Sequence, residues 1–173
     1  AESCLRVGVG SVKIICSKET LPILSHKFPS ALKIEINNFS FLKSFLKKER
    51  KKTTVALVGP GAGKSSRTLK FTEEILKQIK YVIIDADAIN SFQGKTSKLL
   101  KHLDKYKLIT PHHAEFHRLF PKIKKNLTNK EKVLKFLKIC KSNILLKGNT
   151  TVIGSPARII INKHTSSELA VIG

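Results

Sequence analysis

The sequence predicts an α/β fold built on a mostly parallel sheet, and three features carry that expectation. Two short apolar runs, Tyr81–Ile84 and Lys107–Ile109, each break directly into polar, ligand-like residues: Asp85 and Asp87 after the first, Thr110, His112, His113 and Glu115 after the second. Parallel strands buried on both faces read this way, apolar throughout and delivering working groups at their C-terminal ends. Between the two runs, residues 91–103 are long enough for a crossover helix, which completes a β-α-β unit. A third run, residues 54–58, enters Gly59-Pro60-Gly61-Ala62-Gly63 and then a helical pattern over 66–79. That is the strand-to-helix turn of the same architecture, with the helix N-terminus aimed at the edge where the polar groups gather.

At 173 residues and 41% hydrophobic the chain can bury one sizeable core, so a single domain, or part of a larger one, is expected. The formal charge of +21 comes mostly from lysine spread over the whole length, with Ile and Asn also abundant. That is the pattern of a compositional bias. A dedicated nucleic-acid surface concentrates Arg and aromatics on one face, whereas aromatics are only 6% here, so weak polyanion sticking is expected but no specific nucleic-acid partner. Cys4, Cys16 and Cys140 are far apart and odd in number, which reads as reduced packing residues of an intracellular protein. No apolar run approaches the ~18 residues of a membrane span, and residues 1–10 lack the apolar core of a signal peptide, so a soluble cytoplasmic protein is expected. The chain opens on AESCLRVGVG as though already inside a helix and closes on SSELAVIG with no terminal helix. Both ends are therefore expected to be cuts through a longer domain.

Taken in order, residues 11–16 form a β-rich run after Gly8 and Gly10, 19–28 suit a short helix, and 31–36 alternate apolar and polar as a strand near a sheet edge does. Asn38 offers an N-cap to a helix over Phe39–Glu49, and the basic stretch 47–54 reads as a solvated connection. After strand 54–58 the glycine turn resembles a phosphate loop, but the spacing fails. With Gly63-Lys64-Ser65 fixed, the first glycine would have to be residue 58, which is Val58. Of Asp85 and Asp87, at most one should face a ligand, because alternate residues leave a strand on opposite sides. His113 and His117 share a helical face, but Glu115 is one place out of the HExxH position and no third ligand presents itself, so no metal site is expected. Residues 127–140 make an amphipathic helix with Thr128 as cap, Glu131 at the capping-box position, and Val133, Leu134, Leu137 and Cys140 as the buried stripe. The strand Asn143–Leu146 then enters the polar turn Lys147-Gly148-Asn149-Thr150-Thr151, and residues 152–153 and 158–161 read as antiparallel strands folding away. Lys147, an unhindered glycine N–H and two Thr hydroxyls are good chemistry for a nucleotide phosphate, although a hairpin turn would use the same residues.

Four motifs together resemble one family. The glycine turn 59–63, Asp85-Ala86-Asp87-Ala88-Ile89-Asn90, Thr110-Pro111-His112-His113-Ala114-Glu115-Phe116, and Leu146-Lys147-Gly148-Asn149-Thr150-Thr151-Val152-Ile153 follow the order and spacing of ADP/ATP-dependent NAD(P)H-hydrate dehydratases. These are metabolite-repair enzymes with a ribokinase-like fold, often fused in bacteria to an NAD(P)H-hydrate epimerase. The resemblance covers nearly the whole chain, from LRVGVGSVKII to Gly173. It implies a three-layer α-β-α architecture, here incomplete, and assigns Gly59, Gly61, Asp85, His112 and Glu115 to the hydrated dinucleotide. Lys147, Gly148, Asn149, Thr150 and Thr151 would hold the phosphates of ADP or ATP, with Mg2+ admitted beside them. The implied partners are NADHX or NADPHX, a fused or separate epimerase, and further copies of the chain. In the family the nucleotide phosphorylates the hydroxyl of the hydrate, turning hydroxide into a better leaving group. The family's TPHPGE pattern carries His113 for Pro and Ala114 for Gly, and its catalytic Asp, in a glycine-rich segment, would follow Gly173. No catalytic residue is therefore assigned, and the isolated chain is expected to have little dehydratase activity. Two other readings remain: a sugar or vitamin kinase of the same superfamily, separable by a metabolite screen, and a basic nucleic-acid-binding protein, separable by whether binding survives moderate salt.

Overall fold

A computed structural model describes residues 1–162, in two compact units, 1–48 and 49 onward. The closing stretch SSELAVIG lies outside the described residues.

In the first unit, helix α1 (Glu2–Arg6) precedes strand β1 (Lys13–Cys16), helix α2 (Leu21–Lys27), strand β2 (Leu32–Glu35) and helix α3 (Phe39–Glu49). β1 and β2 pair in parallel as a two-stranded sheet, from Lys13 opposite Leu32 to Cys16 opposite Glu35. Asn38 caps α3 as its side chain predicts, accepting from the Phe41 N–H at 2.8 Å. Cys16, Ala31, Ile36, Leu42 and Leu46 are buried.

The second unit holds a six-stranded sheet, made of β3 (Val55–Val58), β4 (Tyr81–Ile84), β5 (Lys107–Ile109), β6 (Asn143–Leu146), β7 (Thr151–Gly154) and β8 (Ile159–Asn162) in that spatial order. The first four strands are parallel; β6, β7 and β8 are antiparallel. The mostly parallel sheet is therefore present, and so is the antiparallel return after Leu146. Helix α4 (Ser66–Gln78) joins β3 to β4 and begins at Ser65, whose hydroxyl accepts from the Thr68 N–H at 3.0 Å.

The single crossover helix expected over 91–103 is instead two short ones, α5 (Ala86–Ser91) and α6 (Thr96–Leu100). Two residues account for the difference. Ala86 sits at φ 45, which turns the chain into a helix directly off β4, and Gly94 at φ 73 breaks the path before Thr96. Ala86 is the one non-glycine residue at positive φ among those described, a conformation that costs about 1–2 kcal/mol. It is held from both sides: the Asp85 N–H donates to Val58 O at 3.0 Å, and the Ala88 N–H donates to Asp85 O at 3.1 Å.

Helices α7 (His113–Leu119) and α8 (Asn129–Ile139) follow β5. Thr128 and Glu131 make the capping box read from the sequence. The buried stripe of α8 is shifted from expectation. Val133, Phe136 and Cys140 are buried, whereas Leu134 is 41% exposed, because Phe136 turns inward to meet Phe120 at 5.4 Å between ring centroids. Ile84, Ile89, Phe92, Ile109, Phe116, Ile144 and Leu146 complete this core. Cys16 and Cys140 are buried free thiols and Cys4 is half-buried, as the packing reading requires. No helix among the described residues is long and apolar enough to cross a membrane.

Candidate functional site

The parallel strands β3, β4, β5 and β6 end at Val58, Ile84, Ile109 and Leu146. The residues that follow these ends, Gly59, Asp85, Thr110 and Lys147, therefore share one edge of the sheet, the edge at which open α/β sheets carry their sites.

Gly59 makes the closest approach there. At φ 126, a Cβ on it would lie 1.7 Å from the Asp85 carbonyl oxygen and 3.0 Å from the Ala88 Cβ. The absent side chain thus lets the ends of β3 and β4 close on each other. Gly61 and Gly63 also have positive φ, 69 and 73, but face open space. The turn spends its Gly63 N–H on the Asp87 carboxylate, at 2.8 Å, and Lys64 reaches Gln93 Oε1 at 2.9 Å.

Asp85 and Asp87 both make contacts at this edge, with different partners. Strand alternation stops at Asp85, because the left-handed turn at Ala86 starts a helix at once. Asp87 fastens the glycine turn, while Asp85 accepts from Lys147 Nζ at 2.8 Å. This bridge joins the strand end assigned to substrate to the loop assigned to nucleotide. Burial tends to push the Asp85 carboxyl up, but hydrogen bonds from Lys147, Thr110 and the Ala86 N–H outweigh it and hold the group below its ordinary value. The Lys147 N–H donates to Pro111 O at 2.9 Å, which ties the start of the loop to the end of β5.

His112 caps α7. Its Nδ1 accepts from the Ala114 N–H at 3.1 Å, which leaves the proton on Nε2, 3.4 Å from Glu115 Oε1. Buried Glu115 also accepts from the His112 N–H at 2.9 Å, so ring and carboxylate are locked together despite the His113 and Ala114 departures. Asn90 extends this chain, donating toward Glu115 Oε1 at 3.5 Å and accepting from Arg118 at 2.6 Å. Sequence reasoning missed Asn90 and Arg118 as members of the site. The signal for Asn90 was its place in the Asp85–Asn90 motif; Arg118 carried none.

The loop from Lys147 to Thr151 is the hairpin connection between β6 and β7. Thr151 Oγ1 donates to Gly148 O at 3.1 Å, and Asn129 of α8 donates to Thr150 O at 2.7 Å. The Asn149 side chain is exposed. Lys147 gives one donor to Asp85 and is 41% exposed at its side chain, so its other N–H groups remain available to an anion. The described residues contain no cluster of three or more His, Cys, Asp and Glu arranged to hold a metal.

Titration of this region has a definite sign. Burial and the Lys132 ammonium hold His113 and His117 below the ordinary imidazole value of 6.5. Their unfolded forms therefore take up protons first, and stability falls as pH drops through about 6.5 toward the folded values. Asp85, lowered from 3.8, contributes stability above that value which is lost as pH falls further. Urea midpoints measured from pH 7.5 to 3 should decline in two stages, and a midpoint flat between pH 7.5 and 5.5 would remove the histidine stage.

Sheet order and edge define an open α/β fold, and solved structures share it. A ribokinase-like superfamily protein from Enterococcus faecalis superposes with a TM-score of 0.81 at 22% identity, covering 98% of this chain and 58% of that one. The ADP/ATP-dependent NAD(P)H-hydrate dehydratase from Bacillus subtilis superposes with a TM-score of 0.71 at 22% identity, covering 96% and 60%. The family profile Carb_kinase, NAD(P)H-hydrate dehydratase, matches residues 1–173, and the chain belongs to that family. The bifunctional NAD(P)H-hydrate repair enzyme Nnr of Synechocystis is 38% identical over 105 residues, which are 60% of this chain and 19% of that protein. The chain thus spans about a fifth of the length of this relative.

Proposed function

We propose that this chain contributes to nucleotide-dependent dehydration of NAD(P)H hydrate back to NAD(P)H, as part of a single ribokinase-like dehydratase domain. The observation that carries the reading is the Lys147–Asp85 bridge at 2.8 Å, which brings the nucleotide loop and the substrate edge to one point. ADP or ATP would lie along Lys147, Gly148, Asn149, Thr150 and Thr151, with Mg2+ beside it; the Bacillus subtilis relative was co-crystallised with ATP/Mg2+. The hydrated nicotinamide would lie toward Gly59, Gly61, Asp85, His112 and Glu115. When bound, the nucleotide supplies a phosphoryl group that makes the hydrate's hydroxyl a leaving group. Lys147 offsets the phosphate's charge, and the His112–Glu115 pair offers an Nε2–H at a fixed angle to the substrate.

NADHX or NADPHX is the expected small-molecule partner, a fused or separate epimerase the expected protein partner, and the cytoplasm the expected compartment. Self-association would be of the homo-oligomeric kind. The test is a chimera in which residues 1–173 replace the matching span of a bifunctional relative, assayed for NADH-hydrate conversion with ADP and with ATP by dihydronicotinamide absorbance. Conversion that Lys147→Ala reduces is expected. A folded chimera that binds nucleotide but converts no hydrate, while its parent does, would overturn the reading.

A further inference from the structure

A second group of nitrogen-bearing side chains lies on α7 and α8, apart from the Lys147–Asp85 bridge. His113 and His117 stand one turn apart on α7, and the charge of Lys132 on α8 bears on both. Lys132 is only 5% exposed, and among the described residues its ammonium has neither a carboxylate nor a hydrogen-bond partner. His117 Nδ1 is likewise buried with no hydrogen-bond partner, a rare condition in a native core. The hairpin loop presses onto this group: a Cβ on Gly148 would lie 2.6 Å from His113 Nε2 and 3.0 Å from Asn129 Nδ2. Asn129, three residues before Lys132 on α8, holds the loop by its bond to Thr150 O at 2.7 Å.

We propose that His113, His117 and Lys132 form an anion subsite beneath the Lys147–Thr151 loop, and that it takes a phosphoryl group of the ligand the loop holds. The proposal rests on the reading of that loop as the nucleotide-phosphate loop. Two imidazoles and an ammonium, with no compensating carboxylate recorded, match a dianion with three terminal oxygens better than a carboxylate with two. Lys147 is already committed in part to Asp85, so this subsite supplies the charge that the loop itself lacks.

Every group recorded as facing the two imidazoles disfavours protonation in the free protein except the Ile123 backbone beside His117. His113 is faced by Lys132 and His112; His117 is faced by Lys132, Lys125 and His113. A bound dianion reverses that balance, so binding should take up protons on both rings and tighten as pH falls toward 6.

The test follows the histidine C2–H resonances of the 173-residue chain as pH is varied, without ligand, with inorganic pyrophosphate and with acetate. Pyrophosphate should raise the midpoints of His113 and His117 and leave His26 and His102 in place, while acetate at the same charge concentration should move neither pair. In Lys132→Met the two midpoints should rise in the free protein, and pyrophosphate affinity should fall by about 10–100-fold. Should that variant melt early, His113→Gln, at an exposed position, should still lose about tenfold or more. Pyrophosphate that leaves His113 and His117 unmoved, or equal shifts with acetate, would overturn the subsite. ADP binding lost in Lys147→Ala with no histidine shift at any stage would overturn the subsite but leave the loop assignment standing. Histidine shifts with pyrophosphate in a protein that binds no ADP would keep the subsite and remove the nucleotide.

Discussion

Gly59→Ala should destabilise the chain by about 2–6 kcal/mol, combining about 1–3 for a side chain at such a φ with about 1–3 for overpacking. The new Cβ would meet the Asp85 carbonyl at 1.7 Å, and that carbonyl cannot retreat, because it accepts from the Ala88 N–H that opens α5. Relief requires parting the ends of β3 and β4. The melting temperature should drop by roughly 5–20 °C. Gly61→Ala is the matched control: its φ of 69 is also positive, but nothing lies within 4 Å of the added atom, so only about 1–2 kcal/mol of conformational cost is expected. Equal melting temperatures for the two variants would mean that the close approach is not what requires glycine at residue 59.

The second large effect is on nucleotide affinity. Lys147→Ala removes a charged donor and should weaken ADP or ATP binding by about 1.5–3 kcal/mol, roughly 10–100-fold. It also strips Asp85 of the partner at 2.8 Å, leaving a half-buried carboxylate whose pKa should rise from its lowered position. Calorimetry with ADP and with ATP on wild type, Lys147→Ala and Lys147→Arg separates charge from geometry. The Arg variant should retain part of the affinity, since it keeps the charge but changes the donor geometry. Indistinguishable affinities for wild type and the Ala variant would remove Lys147 from the phosphate site.

The strand ends were legible because the apolar runs Tyr81–Ile84 and Lys107–Ile109 stop where the polar groups start, although burial on both faces is not what these strands have: Val82, Ile84 and Ile109 are buried, whereas Ile83 and Leu108 are half-buried and Tyr81 is exposed. Caps were legible for a similar reason: Asn38, Thr128 and Glu131 satisfy orphan backbone groups through contacts local in sequence. Features that depend on a backbone exception were hidden. Nothing in the residue type of Ala86 announces φ 45, yet that turn decides that Asp87 reaches Gly63 and splits the crossover into two helices. Periodicity placed the stripe of α8 one residue away from where Phe136 puts it, since several apolar phases fit an 11-residue helix. Lys132 was invisible for the opposite reason: a lysine among lysines reads as solvent-facing, and only packing reveals its burial.

The chain's connectivity sets an order of assembly. β6, β7 and β8 are joined by short turns, and hairpins of that kind close in about 1–10 μs. The Asp85–Lys147 contact spans 62 positions along the chain, and such long loops close against a larger entropy. It also crosses the end of β5, so β4, β5 and β6 must be in register before it can form. The bridge is therefore expected to be among the last native contacts made and among the first released in partial unfolding. Nucleotide affinity would then report on completed folding more sharply than helix content does, and a destabilised variant would lose its ligand before its circular dichroism changed.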